Sequence, residues 1–380
     1  MAVQVTCIDT AEGFQVLREE WGSLVETTAR ASVFTTWEWQ HVWWRHYGAG
    51  RPLRLLVARE EGRLLGLLPL YFQPVTPLAG LTVWLMRLIG TGGDTSPDYL
   101  EPPLMPGREE EVARALVEAA LTLPGWDVLA WTDLEPEGPV GAAASQALRA
   151  RRLPNRRGTS ARISFVPLPS SWDGYLEGLS RDRRYTIRST RRKFEREPGA
   201  RFFVWDDPAR LDAAIDCLIE LHHQRWQARS TEHAFASATY NSFHRAVMHA
   251  CHERGWLRLY AMERAGETIA MYYCYSFRDT VYYFQGGFDP RYENLRPGLC
   301  LMGYAIEHAI SEGHGVFDML RGEYEYKKQW ARGTRETCYM IAYRRTAPAF
   351  LYWIRRSLLP EAKRLARRMV SSGARTGSHG

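Results

Sequence analysis

Apolar and polar positions follow two periods along the chain, and the order of the predicted elements repeats. In the first half, residues 52–72 contain two apolar runs around a turn with acidic residues and a glycine, which predicts a β-hairpin. Residues 81–90 predict a further strand, 108–122 a helix and 126–131 another strand. This half is therefore predicted to be mixed α/β.

The second half presents the same order. It is predicted to contain three strands within 256–288, a helix within 293–313, and strands at 316–320 and 336–345. The two halves read as divergent copies of one α/β unit.

The stretch 136–160 is rich in Gly, Pro, Ala and Arg, and its apolar periodicity is weak. We therefore place a boundary near residue 160, which gives an N-terminal domain at 1–160 and a C-terminal domain at 161–345. Residues 346–380 form a basic amphipathic tail. A chain of 380 residues fits two domains of ordinary size.

Composition narrows the class of protein. Apolar residues make up 45% of the chain and charged residues 24%, as in globular domains. No stretch approaches the roughly 18 uncharged apolar residues of a membrane-spanning helix, and the N-terminus lacks a secretory pattern. The six cysteines form no CxxC pair, which favours reduced thiols. We expect a cytoplasmic protein.

A candidate anion site lies before the helix in 293–313. Pro297 and Gly298 precede this helix, whose first N–H groups and positive dipole end could hold a pyrophosphate. Gly298 would let phosphates approach closely, and Arg296 would add charge. The predicted binding segment is Arg296, Gly298, Leu299 and Cys300. A plain Pro-Gly turn is the alternative.

The second half also carries a family resemblance, in "WLRLYAMERAGETIAMYYCY", "YYFQGGFDPRYENLRPGLCLMGYAIEHAISEG" and "VFDMLRGEYEYKKQW". These segments, with "FTTWEWQHVWWRHYG" and "RLLGLLPLYF" in the first half, resemble the CelD-like (BcsL) acetyltransferase family of the GNAT superfamily. The D-x-x-R-G-x-x-x-Y-K pattern at 318–327 is the most specific part, and the resemblance extends to about residue 345.

The resemblance implies two tandem GNAT-like domains, as in Fem peptidyltransferases, each with a mixed, mostly antiparallel sheet flanked by helices. It also implies transfer of an acyl group from acetyl-CoA or another acyl-CoA to an envelope polysaccharide or its precursor. The sequence departs from the usual pyrophosphate loop at two positions. Leu295 stands where Gln or Arg is usual, and Cys300 occupies the second small position.

In the fold that this resemblance implies, the strand "VFDML" parts from its neighbour and ends beside the thioester. Acyl transfer needs a base for the attacking amine or hydroxyl and an acid for the leaving thiolate. Asp318 and Glu323 are the candidate bases, Tyr326 or Tyr324 the candidate acid, and Lys327 would bind a substrate carboxylate or phosphate.

Further substrate-binding residues are predicted both within the 318–327 segment and elsewhere in the chain. Asp98 and Tyr99, on a family-like loop, could face an interdomain groove, and Arg321 joins the predicted binding residues. In the alternative interpretation, Asp318 is a buried acid paired with Arg321, and the tyrosines and lysines are an ordinary solvated strand end.

The net charge of +6 is concentrated in two segments. Residues 181–196 hold eight Arg or Lys and two acids, and residues 347–375 hold seven and one. Arg184 and Arg188 are predicted to bind phosphates of coenzyme A, a sugar nucleotide, a lipid-linked precursor or RNA, with a solvated charged face as the alternative. The tail suggests an interfacial helix at the inner face of the membrane, although Pro360 would interrupt it.

Three functions remain open at this point. The first is an acyl-CoA-dependent N- or O-acyltransferase with a small-molecule or saccharide acceptor. The second is a Fem-like transferase that uses aminoacyl-tRNA, and the third is a non-catalytic accessory protein for polysaccharide synthesis. No metal is expected, because the histidines, including those of "HACHE", lack zinc-site spacing.

Overall fold

A computed structural model describes residues 3–227, 234–322 and 324–356. Within them the strands are β1 (Gln4–Ile8), β2 (Leu53–Glu60), β3 (Arg63–Leu78), β4 (Leu81–Leu88), β5 (Val128–Leu134), β6 (Asn155–Pro167), β7 (Arg201–Trp205), β8 (Leu257–Arg264), β9 (Glu267–Phe277), β10 (Thr280–Phe288), β11 (Val316–Arg321) and β12 (Gly333–Tyr343).

The helices are α1 (Ala11–Val16), α2 (Arg18–Thr27), α3 (Trp37–Tyr47), α4 (Glu109–Thr122), α5 (Pro139–Ala150), α6 (Trp172–Glu177), α7 (Arg181–Phe194), α8 (Leu211–Gln227), α9 (Ala238–Glu253), α10 (Pro297–Ser311) and α11 (Glu325–Trp330), followed by α12 (347–356). Side-chain caps start several of them: the Thr36 hydroxyl accepts from Trp39 N–H at α3, and the Ser180 hydroxyl accepts from Arg183 N–H at α7.

All twelve described strands lie in one sheet, in the order β1-β2-β3-β4-β5-β12-β6-β11-β10-β9-β8-β7. Neighbours are antiparallel except for two parallel pairs, β4 with β5 and β10 with β11. Each parallel pair is joined through a helix, α4 in the first half and α10 in the second. The sheet thus repeats the same motif from each edge inward, which confirms the predicted mixed α/β fold with two related halves.

The helices of the second half cover both faces of this sheet. Along β9, Ala270, Tyr272 and Cys274 pack in a core with α6, α7 and α10. The alternate residues of β9 pack in a second core that contains α8, α9 and α3. Trp39 of α3 meets Phe243 of α9 edge to face at 5.2 Å, so this second core joins the two halves.

The three strands predicted within 256–288 are confirmed as β8, β9 and β10, and the turns between them contain Ala265, Gly266 and Arg278, with positive φ angles of 49°, 82° and 53°. The weakly periodic stretch 136–160 is not a loop. It holds α5, which buries Val140, Ala144 and Leu148 at helical spacing, and the start of β6. The predicted boundary at residue 160 falls inside β6 and stays a prediction.

No helix among the described residues is long and apolar enough to cross a bilayer. Residues 357–380 of the predicted tail, which include Pro360, lie outside the described residues.

Candidate active site

Strands β10 and β11 run side by side and then part. Their parallel pairing covers three residues of each strand and ends at Tyr282 and Asp318. Beyond this point β10 continues to Phe288 along β9, whereas the pairing of β11 with β6 is bulged between Asp318 and Arg321. The two strands therefore leave a gap at their carboxyl ends.

A cleft of about 1080 Å³ occupies this gap and extends to the first half of the chain. Both halves contribute to its polar lining, and its residues include Asp94, Ser96, Thr159, Ser160, Arg162, His222, Arg225, Tyr240, Tyr283, Gln285, Leu320, Arg321, Gly322, Tyr324, Tyr326 and Lys327. Such a cleft between domains is a common place for a binding site.

Asp318 is fully buried at the point where the strands part. Its Oδ2 accepts a hydrogen bond from the Tyr99 hydroxyl at 2.7 Å, and its Oδ1 accepts one from Leu320 N–H at 2.8 Å. Burial raises the pKa of Asp318 to about 6, although both hydrogen bonds and Arg335, 3.9 Å away, act in the opposite direction. This carboxylate is ionised at neutral pH and is still basic enough to accept a proton.

Tyr99 connects Asp318 to a second groove. This groove has a volume of about 600 Å³ and is also lined by Tyr282 and Arg335. Burial and the neighbouring Asp318 raise the pKa of the Tyr99 phenol, which therefore stays protonated and donates its hydrogen bond to the carboxylate. The pair Tyr99–Asp318 joins a loop of the first half to a strand of the second.

Arg321 makes a second link between the halves. Its guanidinium lies 2.7 Å from Asp98 Oδ1 and 2.6 Å from Asp133 Oδ1, and its backbone N–H donates to Asp98 Oδ2 at 2.9 Å. Asp98 is fully buried and Asp133 nearly so. The alternative interpretation, in which Asp318 pairs with Arg321, is therefore wrong. Arg321 instead neutralises Asp98 and Asp133.

Strained backbone collects at this junction. Tyr99, Asp133 and Leu320 have positive φ angles of 56°, 66° and 54°, in the left-handed region that non-glycine residues avoid. These three are adjacent in space, because Leu100 N–H donates to the Asp133 carbonyl and Leu320 lies between Asp318 and Arg321. Strain of this kind is frequent at functional sites.

Lys327 holds the bulged end of β11. Its buried ammonium donates to the carbonyls of Met319, Leu320 and Arg321 at 2.6, 3.2 and 2.6 Å. Burial lowers the pKa of Lys327 to about 8, against the attraction of Asp98 and Asp318. Although Lys327 lies at the cleft wall, its hydrogen bonds go to the protein backbone.

The tyrosines of the 318–327 segment differ in exposure. Tyr324 is 53% exposed and stacks on Tyr326, with ring centroids 5.9 Å apart. Tyr326 lines the cleft and packs against the core that contains α10. Burial raises its pKa, so the phenol remains a hydrogen-bond donor at neutral pH. Glu323, the other predicted base, lies outside the described residues.

The N-terminus of α10 follows the parted strand β10. Arg296 caps it in a left-handed conformation (φ 52°, ψ 54°), and its carbonyl accepts from the N–H groups of Leu299 and Cys300. A Cβ on Gly298 would meet the Tyr272 hydroxyl at 3.5 Å, an ordinary van der Waals contact, and the Gly298 carbonyl accepts from this hydroxyl at 2.8 Å. Cys300 is buried, and its Sγ contacts the Leu295 carbonyl at 3.6 Å.

Further positive charge lies close to Arg296. The charges of Arg296 and Arg332 contribute to lowering the pKa of Arg183, after burial, which is the largest cause. The Arg183 guanidinium lies over the Trp330 ring at 4.8 Å, and its Nε is buried without a hydrogen-bond partner among the described residues. Like charges held together in this way favour an anion nearby.

Arg184 and Arg188 lie on α7, which packs against α10 on one face of the sheet. Arg188 pairs with the exposed Asp173 at 3.0 Å, and Arg184 reaches the Glu177 carbonyl at 3.5 Å. The residues that line the cleft in the described part of the chain include none from α7. The structure therefore places these two predicted residues apart from Asp318 and Tyr326.

Some site residues were not singled out in the sequence. Asp133, like Asp318, is an acid next to apolar residues of a strand, and this pattern could have singled it out. Arg225, whose guanidinium donates to the Gly286 carbonyl at 3.2 Å at the cleft wall, comes from α8 and had no such signal. No cluster of potential metal ligands occurs among the described residues.

Comparisons with known proteins agree with this architecture. The family described as "Acetyltransferase (GNAT) domain" matches residues 181–328, which include α7, α10 and β11. No curated protein matches the chain.

Solved structures match over nearly the whole chain. A crystal structure of FemX shares 13% identity, with a TM-score of 0.61, 89% of this chain and 96% of that chain covered. The C-terminal domain of a putative lysylphosphatidylglycerol synthetase from Agrobacterium fabrum shares 11% identity, with a TM-score of 0.54 and coverages of 92% and 98%. L-PGS from Bacillus licheniformis shares 13%, with a TM-score of 0.50 and coverages of 89% and 95%.

These identities are low and establish the fold rather than the reaction, and the relation to CelD-like acetyltransferases stays a prediction. The chain has a GNAT-like fold similar to that of FemX, and the GNAT domain model matches residues 181–328.

Proposed function

We propose that the protein is an acyl-CoA-dependent transferase that acylates an amine or hydroxyl group of an envelope saccharide or its precursor. The observation that carries this proposal is the cleft at the parting of β10 and β11: the strands part at the buried Asp318, which is hydrogen-bonded to Tyr99, and Tyr326 lines the cleft wall. The match to an acetyltransferase domain supports an acyl-CoA donor.

The donor would enter from the N-terminus of α10. Its pyrophosphate would lie at Gly298, where no side chain intervenes, with Arg296, Arg183 and Arg332 supplying positive charge. The acyl thioester would then extend between the parted strands toward Tyr326. The N–H groups of Leu299 and Cys300 already donate to the Arg296 carbonyl, and the Cys300 side chain is buried, so these two residues would contribute through the helix dipole.

The proton would leave through the Tyr99–Asp318 pair. As the acceptor nitrogen or oxygen bonds to the acyl carbon, its proton passes to the Tyr99 oxygen, while the Tyr99 proton passes to Asp318. The carbon–sulfur bond breaks, and the Tyr326 hydroxyl donates a hydrogen bond to the departing thiolate. Tyr99 is a member of this relay because the buried Asp318 carboxyl reaches the groove through it.

Arg321, Asp98 and Lys327 would act on the site by holding its backbone. Their polar groups bind one another or the end of β11 at 2.6–3.2 Å. The acceptor would place its reacting group beside Tyr99 in the second groove and its remaining polar groups against Asp94, Ser96 and Ser160 at the cleft wall. Such groups suit a polyol, which supports the saccharide assignment.

Calorimetric titration with acetyl-CoA tests the donor. We expect micromolar binding by the wild type, near-normal binding by Gly298→Ala, and loss of binding by Gly298→Trp, which would fill the phosphate position. Thermal unfolding of all three proteins controls for folding. If the wild type does not bind acetyl-CoA, or if Gly298→Trp binds as well as wild type, the proposal fails.

A second candidate is a transferase that takes its acyl group from aminoacyl-tRNA. The row of arginines on α7 favours it, since Arg184 and Arg192 have no acidic partner within the described residues. In this case the wild type would bind tRNA and would not bind acetyl-CoA. The double variant Arg184→Glu with Arg188→Glu would lose tRNA binding. Binding of a saccharide with neither donor would identify the non-catalytic accessory protein.

A further inference from the structure

Helix α12 exposes an apolar surface, although it packs on the sheet. Phe350 is 58% exposed, Leu351 40% and Trp353 37%. The Phe350 and Trp353 rings stack with centroids 5.9 Å apart. Large apolar side chains exposed together on one short helix are unusual on a surface that faces only water.

The opposite side of α12 is fixed to the first half of the protein. Ala349 is fully buried in a small core with Val83, Leu85 and Val128. The Thr346 hydroxyl accepts from Ala349 N–H at 3.3 Å and donates to Asp127 at 2.8 Å. The helix is thus held in place with Phe350 and Trp353 outward.

A neighbouring hairpin flanks α12 on the side of Tyr352 and Arg355. The groove between α12 and the end of β3 is lined by Val75, Pro77, Tyr352, Arg355 and Arg356. On the same hairpin Leu78 is 51% exposed. We call Leu78, Phe350, Leu351, Trp353, Arg355 and Arg356 the α12 surface.

The charge around the α12 surface indicates which kind of partner it binds. Residues 344–356 contain four arginines and no acid, and residues 357–380 add four arginines and a lysine against one glutamate. An anionic partner is therefore favoured. A symmetric contact between two copies of the chain would bring the arginines of both together, which is unfavourable.

We propose that the α12 surface docks on an anionic lipid bilayer. Trp and Phe side chains favour the interfacial region of a bilayer, and arginines beside them favour anionic headgroups. A helix with outward apolar residues and flanking arginines lies in the plane of such a surface. The surface is separate from the cleft, since none of its residues lines the cleft in the described part of the chain.

The test is co-sedimentation of the full-length protein with vesicles of phosphatidylcholine alone and of phosphatidylcholine with 30% phosphatidylglycerol. We expect binding to the anionic vesicles that weakens with salt, and at least tenfold weaker binding of Phe350→Ser with Trp353→Ser. Val16→Ser, which changes a side chain 78% exposed on α1, is the matched control and should bind as wild type does. Circular dichroism verifies that each variant is folded.

Several outcomes would overturn the proposal. Wild-type protein that does not bind anionic vesicles at low salt has no such docking surface. Equal binding by the double variant would assign the contact to another part of the chain, and loss in Arg184→Glu with Arg188→Glu would assign it to α7. Concentration-dependent dimerisation that the double variant abolishes, without vesicle binding, would make the α12 surface a contact between copies.

Discussion

At the residue scale, the pH dependence of stability distinguishes a catalytic role of Asp318 from a structural one. Its pKa is raised from 3.8 to about 6, so the native protein binds this proton more tightly than the unfolded chain does. Its contribution to stability therefore falls as pH rises from about 4 to 6, and above pH 6 the buried charge costs about 3 kcal/mol. A structural carboxylate placed for stability would not be expected to carry this cost.

For Asp318→Asn we expect turnover at least about 100-fold lower, because the proton acceptor is lost. At pH 7 the variant should be as stable as wild type or more so, with the difference shrinking toward pH 4. Wild-type kcat/KM should rise with pH around 6. Urea unfolding and free-thiol release measure the two effects, and retained turnover in the variant would remove Asp318 from the mechanism.

Lys327 is a residue whose removal should affect folding. Lys327→Met leaves the carbonyls of residues 319–321 without their donor, and we expect a loss of about 2–4 kcal/mol in the free energy of unfolding. Lys328→Met is the control: Lys328 is 57% exposed and 3.6 Å from Glu325, so its loss should cost under about 0.5 kcal/mol. Equal effects in urea unfolding would contradict this assignment.

The sequence places Asp318 inside the apolar run 316–320, and this pattern predicts that the carboxyl group is buried. It could not show that Lys327 binds backbone carbonyls or that Arg321 binds Asp98. Those contacts depend on a bulge in β11 and on a loop more than 200 residues away in the chain. Side-chain type alone predicted substrate contacts for both residues.

At the element scale, the periodic segments were predictable and the weakly patterned ones were not. The turns at Ala265 and Arg278 lie where glycine or charged residues separate two apolar runs, so their positions could be predicted from the sequence. Helix α5 was missed because three of its five buried residues, Gly141, Ala144 and Ala147, are small and give a weak hydrophobic signal. The repeat of strand order was visible because both halves have the same succession of elements.

At the N-terminus of α10, a substitution of Arg296 can separate a conformational role from a role in donor binding. Arg296 occupies a left-handed conformation, which costs a non-glycine residue about 1 kcal/mol, so Arg296→Gly should not destabilise the protein. If its charge binds the donor phosphates, acetyl-CoA affinity should nevertheless fall about tenfold. Calorimetry and thermal unfolding measure both. Unchanged affinity would leave Arg296 with a conformational role alone.

At the scale of the whole molecule, the two halves are one sheet. Strand β12, from the end of the second half, lies between β5 and β6, with ten register positions paired to β6. Sequence order placed this strand in the second half, and its insertion beside β5 has no local signal. The continuous sheet and the Arg321 contacts give a physical reason to expect the halves to unfold together.

Arg321 tests this coupling. Arg321→Met would leave the buried Asp98 and Asp133 without a cation, and a broken buried pair costs about 3–5 kcal/mol. We expect wild type to unfold in one transition in urea, and the variant to unfold earlier, with tryptophan fluorescence and far-UV circular dichroism no longer coincident if the halves separate. Arg201→Met, which removes an arginine 60% exposed in its pair with Glu263, should cost less than about 1 kcal/mol. Wild-type stability in Arg321→Met would show that the sheet and the shared core hold the halves together without this ion pair.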